Sequence, residues 1–175
     1  MFSDPSKVVE QCGIQPGMDI ADFGSGSGFY SIEASKALAA TGRVYAIDAQ
    51  KDLLVKLKNH AIKEGLFNIE IIWGDLEKPG GTKLRDGSID LAFICNVFFQ
   101  IEEKENVIKE AIRILKPRGR VVFVDWSDSF GGIGPHAKSV FKKAEAVPLF
   151  EKFGFSVDRD ISAGSHHYGV IFKKM

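Results

Sequence analysis

Four polar side chains stand where apolar runs end: Asp22 after Ile20-Ala21, Asp48 after Val44–Ile47, Asp75 after Ile69–Trp73 and Gly74, and Asn96 after Ile89–Cys95. The first leads at once into Gly24-Ser25-Gly26-Ser27-Gly28. Glycine takes positive φ without a steric cost and lets a ligand approach the bare backbone. A loop of this kind between a strand and a helix aims free N–H groups at a ligand. Asp48, twenty residues beyond Gly28, is placed to accept bonds from two ribose hydroxyls. Asp75 is suited to an adenine amino group, with Leu76 and neighbouring backbone flanking the ring, as a nucleoside pocket requires.

The acid in front of the glycine loop narrows the choice of nucleoside. A carboxylate about 5 Å from a pyrophosphate repels it by roughly 3 kcal/mol at an effective dielectric near 20. A ligand with an ammonium and a sulfonium is attracted instead, and S-adenosylmethionine is such a ligand. A dinucleotide fingerprint also needs glycine where Phe29 stands, for close helix–sheet packing. Methyl transfer from a sulfonium is a direct displacement in which positioning does much of the work. A base is needed only if the acceptor must lose a proton. Catalytic candidates near strand ends are His136, Asp125 and Asn96, with His136 the most suitable base by its ordinary pKa near 6.5. Tyr30, Phe98, Phe99, Trp126 and His136 are the expected walls of an acceptor pocket.

The elements that must position these groups alternate. A short helix starts at Ser3 or Asp4 with Pro5 and stops near Gly13. Strands are expected over Met18–Phe23, Val44–Ile47, Ile69–Trp73, Ile89–Cys95 and Arg120–Val124. Helices are expected over Tyr30–Ala40, Lys51–Glu64 and Asn106–Leu115, where apolar residues recur at three and four. Lys116-Pro117-Arg118-Gly119 is expected as a turn. A helical region then reaches Phe153, broken or kinked at Pro148, before two closing strands, Phe155–Ile161 and Tyr168–Phe172. Strand–helix alternation with continuous apolar strands predicts an α/β fold: a mostly parallel, doubly wound sheet in a three-layer α/β/α sandwich. The last two strands have no helix between them and should pair antiparallel. Ligands bind such sheets at the carboxyl ends of strands, where strand order reverses.

Bulk properties set the frame. The 175 residues suit one domain, with 1–15 as an N-terminal helix and lead-in and 128–137 as a glycine-rich lid loop. Lys and Arg number 23, as do Asp and Glu, so there is no general pull toward nucleic acid or anionic membrane. Cys12 and Cys95 lack metal-like or disulfide-framework spacing. The N-terminus lacks a signal segment and no apolar run reaches transmembrane length, so a cytoplasmic protein is expected.

Asp22–Gly28, Val44–Asp48, Gly74-Asp75, Asp90–Asn96 and Leu115–Val122 together resemble the seven-stranded, class I S-adenosylmethionine-dependent methyltransferases, with Tyr168–Lys173 as the final, antiparallel strand of this Rossmann-like fold. The likeness is strongest to the ubiquinone/menaquinone-biosynthesis-like branch, through Pro16-Gly17 and the helix before Lys116-Pro117. The resemblance implies a methionine site at Asp22, Gly24, Ser25, Gly26 and Gly28. It further implies a ribose site at Asp48 and Ala49, an adenine site at Gly74, Asp75 and Leu76, and a border at Asn96 and Val97. It implies methyl transfer to a small-molecule acceptor, with S-adenosylhomocysteine as product, by a monomer or homodimer. Where that branch often has Leu-His-His after the fourth strand, this chain has Val97-Phe98-Phe99-Gln100, which weighs against a quinone. A non-catalytic or regulatory cofactor-binding domain of the same fold, or an enzyme acting on RNA or protein, are the alternatives.

Overall fold

The computed structural model describes residues 3–175. In chain order the elements are α1 (Pro5–Glu10), β1 (Asp19–Phe23), α2 (Phe29–Ala37), β2 (Arg43–Asp48), α3 (Lys51–Lys63), β3 (Ile69–Trp73) and β4 (Ile89–Cys95). Then come α4 (Lys104–Ile114), β5 (Leu115–Trp126), α5 (Lys143–Lys152), β6 (Phe155–Ile161) and β7 (His167–Lys174), with 3-10 turns at Phe98–Gln100 and Ala137–Ser139. Asp4 caps α1, its side chain accepting the Lys7 amide, and Pro5 fills a first-turn position where no N–H is needed.

The seven strands form one sheet in the order β3-β2-β1-β4-β5-β7-β6. β1 to β5 pair in parallel, and β7 runs antiparallel to both β5 and β6. Both faces are covered. Leu91, Phe93 and Cys95 of β4 enter one apolar cluster with Val8, Ile20 and Leu38. The alternate residues Ala92 and Ile94 enter the other, with Phe23, Val107 and Phe123. This period-two division across one strand is what a sheet buried on both sides demands. The order reverses between β1 and β4, so a crevice opens where these two strands end.

Three local expectations change. Lys116–Gly119 is not a turn outside the sheet but part of β5. Ile89 pairs with Leu115 and Leu91 with Arg120, so the extra residues are looped out within the strand. Lys116 Nζ bonds Asp90 Oδ2 at 2.8 Å, tying the loop to β4. The helix expected to reach Ala40 stops at Ala37, because Ala39 and Ala40 both take positive φ. Pro148 lies inside a continuous α5, so the helix is not broken there; the proline removes one N–H donor without ending the helix.

Candidate active site at the β1–β4 crevice

The glycine loop is anchored to the end of β2. Gly24 and Ser25 both donate to the Ile47 carbonyl, at 2.8 and 3.0 Å. Gly26 donates to Asp48 Oδ2 at 2.8 Å and Gln50 to Asp48 Oδ1, also at 2.8 Å. The Asp48 carboxylate thus joins the first strand–helix loop to the second. Asp22 is buried and accepts the Ser31 hydroxyl at 2.6 Å. Burial pushes its carboxyl up to about 6, against the lowering effect of the Ser31 bonds.

Beyond β3, Gly74 donates to the Asp48 carbonyl at 3.1 Å, and Asp75 Oδ1 accepts the Glu77 amide at 3.0 Å. Leu76 is buried. Asn96 follows β4 with φ of 58°, in the left-handed region that Asn tolerates better than most residues. Among the described residues, the buried atoms Ser25 Oγ and Asn96 Oδ1 have no hydrogen-bond partner. Such atoms ordinarily find one, and both lie in residues that line the crevice.

Two adjoining cavities occupy the crevice. The larger, of about 630 Å³, is lined by the strand-end and loop residues Asp22, Gly24, Ser25, Gly26, Asp48, Cys95 and Asn96, together with Ser3, Pro5, Phe29, Tyr30 and Gln100 among others. The smaller, of about 210 Å³, is lined by Ala49, Gly74, Asp75, Leu76 and Val97 among others, and shares Gly24, Asp48, Gln50 and Gln100 with the first. Asp22, Gly24–Gly26, Asp48, Ala49, Gly74–Leu76, Asn96 and Val97, all named from the sequence, therefore meet at one crevice. Gly28 lies at the start of α2, beyond the cavity walls.

The expected acceptor wall is a different matter. Tyr30 lines the larger cavity, its hydroxyl 2.8 Å from Ser3 Oγ. Phe98 does not: its ring is fully buried against Phe123 and Phe150, at 4.9 and 6.0 Å between centroids. Phe99 is half-buried and lines neither cavity. Asp125 is buried with its carboxylate turned to backbone, accepting Phe98 N at 3.1 Å and Trp126 N at 2.8 Å. Trp126 packs against His167, 4.3 Å between ring centroids, under the loop at Gly134. His136 is exposed ahead of the 3-10 turn Ala137–Ser139 and borders neither cavity. The start of the loop 128–137, expected as a lid, lies against His166, the residue before β7. Asp128 meets His166 at 2.9 Å and the Phe130 ring lies 4.1 Å from that imidazole.

The sequence places the N-terminal helix and residues 96–101 at the acceptor pocket, and Ser3, Pro5 and Gln100 line the larger cavity, but Ser27, Phe29, Gln50, Leu53 and Cys95 were not expected as cavity walls. Gln50 and Leu53 were within reach, since they open the helix directly after Asp48. Ser3 and Pro5 stand at the start of α1, whose Val8 and Val9 join a cluster containing Leu38 and Ile171.

A fold in this strand order with an acid–glycine loop at its switch point defines the class I S-adenosylmethionine-dependent methyltransferases. A family model described as a methyltransferase domain matches residues 14–161, and the chain belongs to that family. An S-adenosylmethionine-dependent methyltransferase from Aquifex aeolicus superposes with a TM-score of 0.89 at 29% identity, over 99% of this chain and 91% of that one. A ubiquinone/menaquinone biosynthesis C-methyltransferase from Laribacter hongkongensis is 26% identical over 92% of this chain and 62% of its own length. An arsenite methyltransferase from Aquipseudomonas alcaligenes is 32% identical over 62% of this chain and 33% of its own length. The chain spans about a third to three-fifths of these two curated relatives.

Proposed function

We propose that this chain transfers a methyl group from S-adenosylmethionine to a small-molecule acceptor, leaving S-adenosylhomocysteine. The observation that carries the proposal is the convergence of Asp22, the glycine loop, Asp48, Asp75 and Asn96 on one crevice. The residues present fit the donor. Ser25 Oγ and Asn96 Oδ1 supply unpartnered polar atoms, and no atom lies within 4 Å of where a Cβ on Gly26 would sit.

When bound, the donor supplies a methyl group already activated by a cationic sulfur. Asp22 holds negative charge beside the glycine loop for the ammonium and sulfonium, to the extent that it is ionised. Asp48, fixed by Gly26 and Gln50, keeps lone pairs for ribose hydroxyls. Asp75 receives the adenine amino group over Leu76. Ser3, Pro5, Phe29, Tyr30 and Gln100 border the remaining space, in which an acceptor is held in line. The walls of the larger cavity include no Lys, Arg or His among the described residues, and their ionisable carboxylates are Asp22 and Asp48.

Among the described residues no helix is long and apolar enough to cross a membrane, and a cytoplasmic setting, as monomer or homodimer, completes the proposal. Isothermal titration with S-adenosylmethionine and S-adenosylhomocysteine tests it first, with saturable one-site binding of both expected. No heat from either compound would end the proposal. Turnover on an acceptor panel is the second stage; donor bound but never consumed would favour a regulatory domain.

A further inference from the structure

Segment 96–101 forms one wall of the crevice: Asn96, Val97, Gln100 and Ile101 all border its cavities. It leaves β4 through a left-handed residue, Asn96, a conformation that persists only where its surroundings fix it. Two bonds from β5 supply that fixing. Asn96 N donates to the Val124 carbonyl at 2.8 Å, and Phe98 N donates to Asp125 Oδ2 at 3.1 Å. The second Asp125 oxygen accepts Trp126 N, so the carboxylate bridges the end of β5 to the start of the 3-10 turn. Val97, between these two anchors, presses on the glycine loop so closely that a Cβ on Gly24 would come within 2.7 Å of Val97 Cγ2.

We infer that Asp125 is a positioning residue, holding the wall formed by residues 96–101 against the glycine loop in the shape that binds the donor. The inference rests on the proposal that this crevice takes S-adenosylmethionine. Asp125 touches neither cavity, and its effect passes through Phe98 N and Val97. An ionised carboxylate accepts both amides well, whereas a protonated one has a weakened oxygen on one side. Burial raises this carboxyl to about 7, against the backbone bonds that lower it. Ionisable groups that interact with it include Lys104 of α4, Tyr168 of β7 and Cys95 of β4, and His167 of β7 lies close by, against Trp126. The wall should therefore loosen as pH falls through neutrality.

The test is calorimetric titration of S-adenosylhomocysteine from pH 5.5 to 8.5 on wild type, Asp125→Asn, Asp125→Glu and Phe172→Leu. Asn imitates the neutral acid, so Asp125→Asn should bind about tenfold more weakly at pH 8, the worth of one backbone hydrogen bond. It should also lose the step near pH 7, keeping only the change near pH 6 that belongs to Asp22. Asp125→Glu restores the charge and should recover the step. Phe172→Leu alters the stacked Phe150–Phe172 pair away from the crevice, and should lower the melting temperature without moving affinity. Equal affinity and the same pH profile in wild type and Asp125→Asn overturn the inference. Should Asp125→Asn not fold, a wild-type profile without a step near pH 7 overturns it alone. A wild type that binds no S-adenosylhomocysteine at any pH instead overturns the proposed function.

Discussion

The Asp48 carboxylate accepts the Gly26 amide at 2.8 Å while its other oxygen accepts Gln50 N. One side chain therefore shapes the glycine loop and, in the proposed function, holds the ribose. Asp48→Ala should weaken S-adenosylhomocysteine binding by about 1–3 kcal/mol through lost charge-assisted bonds. Calorimetry on the folded variant checks this, and an unchanged affinity would contradict the ribose assignment.

Two glycines of the loop should respond differently to alanine. Both hold positive φ, 69° at Gly24 and 55° at Gly26, which costs an L-residue roughly 1–2 kcal/mol. At Gly24 the methyl also meets Val97, whereas at Gly26 it meets nothing within 4 Å. Urea denaturation should show Gly24→Ala as the less stable variant. Gly26→Ala should lose mainly donor affinity, since its methyl occupies space left for the ligand.

Phe98 is a core residue despite its place beside the crevice. Phe98→Ala should destabilise the protein by about 3–5 kcal/mol, as expected when a fully buried ring leaves a void. A loss under 1 kcal/mol in chemical denaturation would show that the ring packs far more loosely than its contacts with Phe123 and Phe150 indicate.

Buried carboxyls give stability an acid-side optimum. Asp22 and Asp125 are raised to about 6 and about 7, chiefly by burial, while an unfolded Asp titrates near 3.9. Their contribution is fully present below about pH 4 and is lost as pH rises through 6 and 7. Glu110 has the opposite sign. Burial raises its carboxyl, but bonds from Arg113, Thr82 and Gly80 outweigh this and leave it at about 2. Its contribution is present above about pH 4.5 and is lost as pH falls toward 2. Urea midpoints should peak in mild acid and decline between pH 5 and 7.5, less steeply in Asp22→Asn. A midpoint that climbs steadily over that range would refute the assignment.

The part of the crevice proposed to take the donor was legible because it depends on strand ends, and strand ends follow from local apolar runs. Asp22, Asp48, Asp75 and Asn96 needed only the strand order to meet. The acceptor half was not, because side-chain direction after a strand is set by tertiary packing. Phe98 and Phe99 are adjacent and alike in sequence, yet only Phe98 is drawn fully into the aromatic cluster beneath the sheet. Asp125 lies at a strand end like the other acids, but two nearby amides turn its carboxylate inward. The bulge at 116–119 escaped because Pro117 and Gly119 signal a turn equally well inside a strand or outside it.

The placement of β7 between β5 and β6 carries a consequence for biosynthesis. β6 pairs with β7 alone among the described strands, although it is made first. As the nascent chain emerges, β6 and the preceding α5 have no hydrogen-bonding neighbour on the sheet until residues 167–174 have been added. Completion of that edge is thus a late event, and a ribosome halted before His167 would display an unpaired strand open to association with other chains.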